Sequence, residues 1–360
     1  PGVSAMAPGR GTLRPLAAVT QALLLMLALA GREVDRPYKY KSYKETMQYF
    51  RDLKQRCPDI VDTWVAQQEF PGMVSKQPWG ICDGVPCETL VVRIVNRRNL
   101  TSKMPEVFFS GALHGDERIG PITTTELAGF LCDEYLAGDS EVRRLVDTRA
   151  TWITPMTNAW GYSHFTRFEL EPRRDPNRDF PYLQRPEACM TTQTGRTVNE
   201  LFRRHLFHFM ITFHGGERSL TYEWGSRNHM AMRKSTEAPD DYAFTRVAKG
   251  IQGASGEGMF HGHFYPIGRI TDVVYPVDGG MEDWSYAAGW EASPSPITVC
   301  RPATFGGYDP ARTRYTPGSI ATLVYLSEAD WKKAPPEDSL GRTSQLRSAS
   351  KGQGHVPRNM

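Results

Sequence analysis

Apolar and polar positions along this chain follow two periods, one helical and one that of strands. Tyr43, Met47, Phe50 and Leu53 recur at helical spacing, and Pro58 ends the pattern. Runs rich in β-branched residues predict strands over 61–66 and 89–95, joined by a turn rich in Gly, Pro and Cys. Another strand runs through Val107, Phe108 and Phe109 toward His114, and a helix is predicted over about 122–135. Residues 151–154 read as a short buried strand, 158–182 as polar loop, 198–206 as helix and 207–213 as a second buried strand. Between 229 and 320 Gly, Pro and Tyr are frequent, and the helix predicted there is 241–250. A last strand is predicted over 321–327, and from Pro335 the chain turns polar and rich in Gly and Ser. Strands alternating with helices predict a three-layer α/β/α domain around a mixed, mostly parallel twisted sheet.

Composition narrows the function classes. The 360 residues carry a formal net charge of +3, which points to neither nucleic acid nor a strongly acidic partner. Residues 6–30 have the form of a secretory signal peptide: Arg10 and Arg14, an apolar run from Leu16 to Leu29, and Ala28-Leu29-Ala30 ahead of Gly31. That run is short for a membrane span. The mature chain, with no further span, is expected to be secreted or to sit in an endomembrane lumen. Cys57, Cys82, Cys87, Cys132, Cys189 and Cys300 make an even set that suits disulfides in that setting, and Cys82 and Cys87 flank a turn that they could close. Asn99-Leu100-Thr101 is a glycosylation sequon, expected on the surface.

The chemistry lies at the ends of two apolar strands. In FFSGALHGDERIGP the first strand delivers His114 and, three residues on, Glu117, so both side chains stand on one side of a turn or a new helix. Alone, this pair also fits a solvated imidazole beside a carboxylate. In FMITFHGGER a second strand ends in His214. Two strands that each deliver a His at the carboxyl end fit the edge at which open α/β sheets bind ligands. His114, Glu117 and His214 then form a zinc ligand set that leaves a fourth position for water, as in catalytic sites.

These residues resemble the zinc carboxypeptidases of the carboxypeptidase A type. The His-x-x-Glu of that family is matched by His114 and Glu117, and its distant strand-end His by His214. The Asn-Arg pair that grips a substrate's terminal carboxylate is matched by Asn177 and Arg178 in DPNRDFPY. The Gly-Gly-x-x-Asp-Trp segment with a preceding Tyr is matched by Tyr275, Gly279, Gly280, Asp283 and Trp284. The resemblance runs over about residues 38–335, in family order, and implies a carboxypeptidase-like catalytic domain over 31–335, followed by a polar tail over 336–360. The mature start coincides with the domain's first helix, so no propeptide is expected. No terminal helix is readable after Ala334, so a truncated C-terminus is expected.

The family's catalytic Glu lies about fourteen residues past the Asp matched by Asp283, but no carboxylate stands in SPITVCRP. The resemblance therefore implies an insertion over about 290–318, with Glu328 in TLVYLSEADW as general base. It implies one zinc ion that activates water, Arg178 and Asn177 holding a peptide or protein C-terminus, and Tyr275 closing over it. Arg167, with Arg173 as rival, is expected to face the oxyanion. Glu282, just before Asp283, lies at the side-chain pocket and would favour basic C-terminal residues. The competing reading is a catalytically silent relative that binds zinc or peptide C-termini. Hydrolysis through Cys300 lacks a positioned His nearby in sequence.

Overall fold

The computed structural model describes residues 40–71, 80–170, 173–183, 190–255 and 264–287, and the backbone of 320–326. Helix α1 (Tyr43–Arg56) leads to β1 (Val61–Val65), the single turn α2 (Ala66–Glu69), and the hairpin of β2 (Ile81–Cys82) and β3 (Val85–Pro86). Next come β4 (Leu90–Ile94), β5 (Glu106–Ser110), α3 (Ile119–Ala137), α4 (Ser140–Thr148), β6 (Ala150–Thr154) and α5 (Ala159–Ser163). After a 3-10 turn at Pro176–Arg178 follow α6 (Gln193–Arg204), β7 (Phe207–Gly215), β8 (Ser219–Tyr222), and the paired β9 (Met230–Ala231) and β10 (Lys234–Ser235). The described chain closes with α7 (Asp241–Ser255), β11 (Ile267–Arg269), α8 (Ile270–Val273), α9 (Met281–Ala287) and β12 (Ile320–Leu326).

Eight strands form one sheet in the order β1-β4-β6-β5-β7-β12-β8-β11. The central block β6-β5-β7-β12 is parallel, as is β8-β11, while β1-β4, β4-β6 and β12-β8 are antiparallel. The sheet is the predicted mixed, mostly parallel one. Strand alternation splits the core between its faces. On β4, Val91 joins the cluster of Val198, Leu201 and Phe202 from α6, Phe244 from α7 and Trp284 from α9. Its neighbour Val92 joins the other cluster, with Phe50 of α1, Leu131 of α3 and Val142 of α4. Helices therefore cover both faces, and the three layers follow from sequence alternation.

Local chemistry sets the boundaries. Ser42 caps α1, its hydroxyl accepting from Glu45 N while the Glu45 carboxylate accepts from Ser42 N. Gly138, with φ at +90°, ends α3 in a left-handed cap. Disulfide Cys57–Cys132 ties the end of α1 to α3 across 75 residues, and Cys82–Cys87 closes the β2-β3 hairpin as expected. Cross-linking so long a loop stabilises by roughly 4 kcal/mol in the chain-entropy account.

Some elements differ from expectation. Helix α6 begins at Gln193 rather than 198 because the Thr192 hydroxyl caps it, accepting from Gly195 N. The stretch 158–182 is not wholly loop, since it holds α5 and the 3-10 turn. Strands β9, β10 and β11 and helices α8 and α9 lie in the segment 229–320, where only 241–250 had a readable pattern, and β8 lies just before it. Every residue of α9 is buried, so no polar face betrays it. Cys189, Cys300, Glu328, the signal 6–30, the insertion 290–318 and the tail 336–360 lie outside the described residues.

Candidate metal centre and substrate cleft

The centre is built where β5 gives way to α3. The predicted turn is present: Glu117 N donates to His114 O at 3.2 Å, which brings the two side chains to one side. Gly115 makes this turn possible. A Cβ there would lie 2.0 Å from the Gly161 carbonyl carbon and 2.4 Å from Tyr162 N, so the loop rests directly on the α5 backbone. His214 arrives from the neighbouring strand, one residue before the end of β7.

His114, Glu117 and His214 are all buried, and their ligand atoms lie within 4.8 Å of one another. His114 Nδ1 is 2.9 Å from Glu117 Oε1, His214 Nδ1 is 2.9 Å from Glu117 Oε2, and the two Nδ1 atoms are 3.1 Å apart. The other His114 nitrogen, Nε2, lies 2.9 Å from Asp175 Oδ1. Asp175 also accepts from Arg167 Nε at 2.7 Å and from Asn177 N at 2.8 Å. Arg167 in turn reaches Glu117 Oε1 at 3.4 Å. Asp175, absent from the expected set, thus fixes the His114 ring and links it to Arg167 and Asn177. Its signal was its place two residues ahead of Asn177, but its partner His114 is 61 residues away.

The electrostatics are those of a cation site. Burial alone would raise the Glu117 carboxyl, but the two imidazoles hold it well below the usual carboxylate range. Asp175 is likewise held low against burial, by His114 first and then by Arg167 and Arg178. Burial would lower His114, but the carboxylates of Glu117 and Asp175 lift it to about 9. Burial lowers His214, and Glu117 only partly opposes it. Two imidazoles therefore crowd a buried carboxylate.

This donor set fits zinc. Zinc–nitrogen bonds of about 2.0 Å in a tetrahedron place neighbouring ligands roughly 3.3 Å apart. The two Nδ1 atoms and the Glu117 oxygens already have close to that spacing, at 3.1 and 2.9 Å. Asp175 on His114 Nε2 is the outer partner that leaves Nδ1 to coordinate.

Of the other expected residues, Asn177 and Arg178 follow Asp175 by two and three positions, and Glu328 lies outside the described residues. Asn177 is buried, and its Oδ1 accepts from Met281 N at 2.8 Å, which joins the 3-10 turn to α9. Its Nδ2 has no hydrogen bond of ordinary geometry among the described residues. The Arg178 guanidinium lies 6.0 Å from the ring centre of Tyr275, which is 45 % exposed. Arg173 stacks on Phe168 at 5.7 Å, so of the two rivals only Arg167 reaches the cluster. Glu282 and Asp283 are buried on α9, where Asp283 accepts from Gly225 N at 2.9 Å and Ser226 N at 2.7 Å. Trp284 packs in the core against Phe180 and Phe202.

Comparisons with known proteins agree with this geometry. The family model for zinc carboxypeptidase matches residues 46–300. Human carboxypeptidase Z is 22 % identical over 291 residues, covering 69 % of this chain and 42 % of its own length. Carboxypeptidase SOL1 of Arabidopsis thaliana is 29 % identical over 204 residues, covering 55 % of this chain and 40 % of its own. Rat carboxypeptidase D is 26 % identical over 199 residues, covering 51 % of this chain and 14 % of its own. The chain therefore spans less than half the length of these relatives. In fold it is similar to bovine thrombin-activatable fibrinolysis inhibitor, with a TM-score of 0.56, 16 % identity, and coverage of 90 % of this chain and 99 % of that one. It is also similar to carboxypeptidase A of Helicoverpa armigera, with a TM-score of 0.54, 13 % identity, and coverage of 94 % and 81 %. With the family model spanning well over half of the chain, the chain belongs to the zinc carboxypeptidase family.

Proposed function

We propose that this protein is a secreted, zinc-dependent exopeptidase that removes C-terminal residues from peptides or proteins and prefers basic ones. The observation that carries this reading is the buried His114, Glu117 and His214 set at the carboxyl ends of β5 and β7, with Asn177 and Arg178 beside it. Zinc held there supplies Lewis acidity to the scissile carbonyl and to water near neutral pH.

The protein's own groups do the rest. Arg178, half-buried and close enough to Asp175 to help keep it ionised, grips the terminal carboxylate in a charge-assisted fork with Asn177. This restricts cleavage to the last residue. Arg167 is oriented by Asp175 and serves as donor to the developing oxyanion. Tyr275 covers the bound C-terminus. Glu282 places a buried acid at the side-chain pocket, which supports a basic preference.

Glu328 takes the proton from water and returns it to the leaving amine. Its support is the register of β12 against β7, which sets Tyr325 beside His214 and Leu326 beside Gly215. Glu328 follows Leu326 by two residues in the sequence. Secretion is supported by the signal pattern of residues 6–30 and by the two disulfides. Among the described residues no helix is long and apolar enough to cross a membrane.

The test is Glu328→Gln. Hydrolysis should fall by roughly 100-fold or more while zinc stays bound. Undiminished activity would remove Glu328 from the mechanism. A wild-type protein that binds zinc and releases no residue from any peptide would instead identify a silent relative.

A further inference from the structure

Four side chains assigned to the substrate and the metal surround stand on one irregular segment. Arg167, Asp175, Asn177 and Arg178 lie between α5 and α6, where the described backbone holds an isolated bridge, Glu169 with Arg174, and the 3-10 turn at Pro176–Arg178. A segment of this kind holds its side chains to a fixed geometry only when neighbouring elements lock its backbone. Two acids on the segment meet that need. Glu169 is 3 % exposed and Asp179 is 0 % exposed.

Both carboxylates bond to the start of α6. Asp179 Oδ1 accepts from Thr191 N at 3.1 Å and Thr191 Oγ1 at 2.7 Å, and its Oδ2 accepts from Thr192 N and Thr192 Oγ1, each at 2.7 Å. Glu169 Oε1 accepts from Gln193 N, and its Oε2 from Thr194 N at 2.9 Å and Thr194 Oγ1 at 2.6 Å. Four consecutive residues, Thr191 to Thr194, therefore hold two acids that are ten positions apart in the chain. The free amides and positive dipole end of a helix N-terminus favour carboxylates there.

We infer that Glu169 and Asp179 are positioning residues: through the start of α6 they hold Arg167 and the Asn177–Arg178 pair at a fixed separation. This rests on the exopeptidase reading, in which Arg167 faces the oxyanion and the pair grips the terminal carboxylate. Exchanging buried charged groups for apolar ones is often neutral or stabilising, so stability alone is a poor reason to keep two buried acids. What they supply is direction, because each carboxylate is met by donors from several sides and its backbone is held with it.

The two acids serve different groups. Glu169 stands two residues after Arg167, and its backbone N donates to Arg174 O at 3.0 Å. Asp179 directly follows Arg178 and pairs with Arg174 Nε at 3.1 Å, while the Arg174 guanidinium donates to Arg178 O at 2.7 Å. Arg174 thereby ties the two halves of the segment together. An oxyanion donor acts in the transition state, whereas a carboxylate clamp acts from binding onward. Disturbing Glu169 should therefore lower kcat, and disturbing Asp179 should raise KM.

The experiment measures kcat and KM of the zinc-loaded protein on a peptide ending in arginine, with rates normalised to bound zinc. Calorimetry with L-arginine and L-argininamide reads the carboxylate clamp without any turnover. Glu169→Gln should lower kcat about tenfold and leave KM within about twofold. Asp179→Asn should raise KM about tenfold and shrink the preference for L-arginine over its amide by a similar factor. Thr194→Val and Thr191→Val each remove one hydroxyl donor and keep the backbone, so they should give about threefold shifts in the same two directions. Thr191→Ser, which keeps the hydroxyl, should restore the wild-type KM. Wild-type kcat and KM in both acid variants, folded and zinc-bound, would overturn the inference and leave the exopeptidase reading intact. Should the acid variants fail to fold, wild-type constants in both valine variants overturn it equally. A wild-type protein that hydrolyses nothing would remove the exopeptidase reading alone, provided that it prefers L-arginine to the amide and that Thr191→Val weakens this preference.

Discussion

Asp175→Asn separates the metal ligands from the group that holds them in place. The Asp175 carboxylate takes His114 Nε2 at 2.9 Å, Arg167 Nε at 2.7 Å and Asn177 N at 2.8 Å. Asparagine keeps the shape but removes the charge, and one of its two terminal atoms turns from acceptor to donor. Either His114 or Arg167 must then lose its partner. Loss of an outer-shell carboxylate on a ligating His costs about 10–100-fold in metal affinity, which is about 1.4–2.7 kcal/mol. Zinc affinity is read by competition with a chromophoric chelator at neutral pH, with circular dichroism to verify the fold. Arg173→Ala is the control, because Arg173 stacks on Phe168 and should leave zinc binding unchanged. Zinc affinity within about twofold of wild type in Asp175→Asn would refute the role given to this carboxylate.

Two further outcomes follow from buried acids and imidazoles. Glu169 Oε2 accepts from Thr194 N at 2.9 Å and Thr194 Oγ1 at 2.6 Å, and its Oε1 accepts from Gln193 N, so it anchors the start of α6. Glu169→Gln sets an amide donor against donors in a buried site and should cost about 1–3 kcal/mol, seen as a lower melting temperature; an unchanged melt would remove that anchor. In chelator-treated protein, His114 stands at about 9 in the folded state against 6.5 as its ordinary value, despite its burial, because of Glu117 and Asp175. A raised folded value gives stability that is full below 6.5 and is lost as pH rises through about 9. The urea midpoint of the chelated protein should therefore fall across that window relative to the zinc-loaded protein, and parallel curves would contradict the raised His114 value.

Much of the centre was legible because its ligands end apolar strands. Val107 to Phe109 and Phe209 to Phe213 announce β5 and β7, and each run delivers a His at the sheet edge where the structure brings them together. The layers were legible for the same reason, as Val91 and Val92 go to opposite faces. What stayed hidden depends on contacts distant in sequence. Asp175 looks like a loop acid until the fold sets it against His114. Helix α9 is buried all round and so has no period to read. The early start of α6 is fixed by Thr192 and by Glu169, the latter 25 residues from Thr194.

The central claim is that zinc at His114, Glu117 and His214 serves removal of C-terminal residues. The most direct measurement incubates the zinc-loaded protein with a peptide ending in arginine as the free acid and with its C-amidated twin, with and without chelator, and follows products by mass spectrometry. Single residues should be released from the free-acid peptide only, and chelation should abolish the release. Cleavage of the amidated twin at the same rate, or release that persists in chelator, would contradict it.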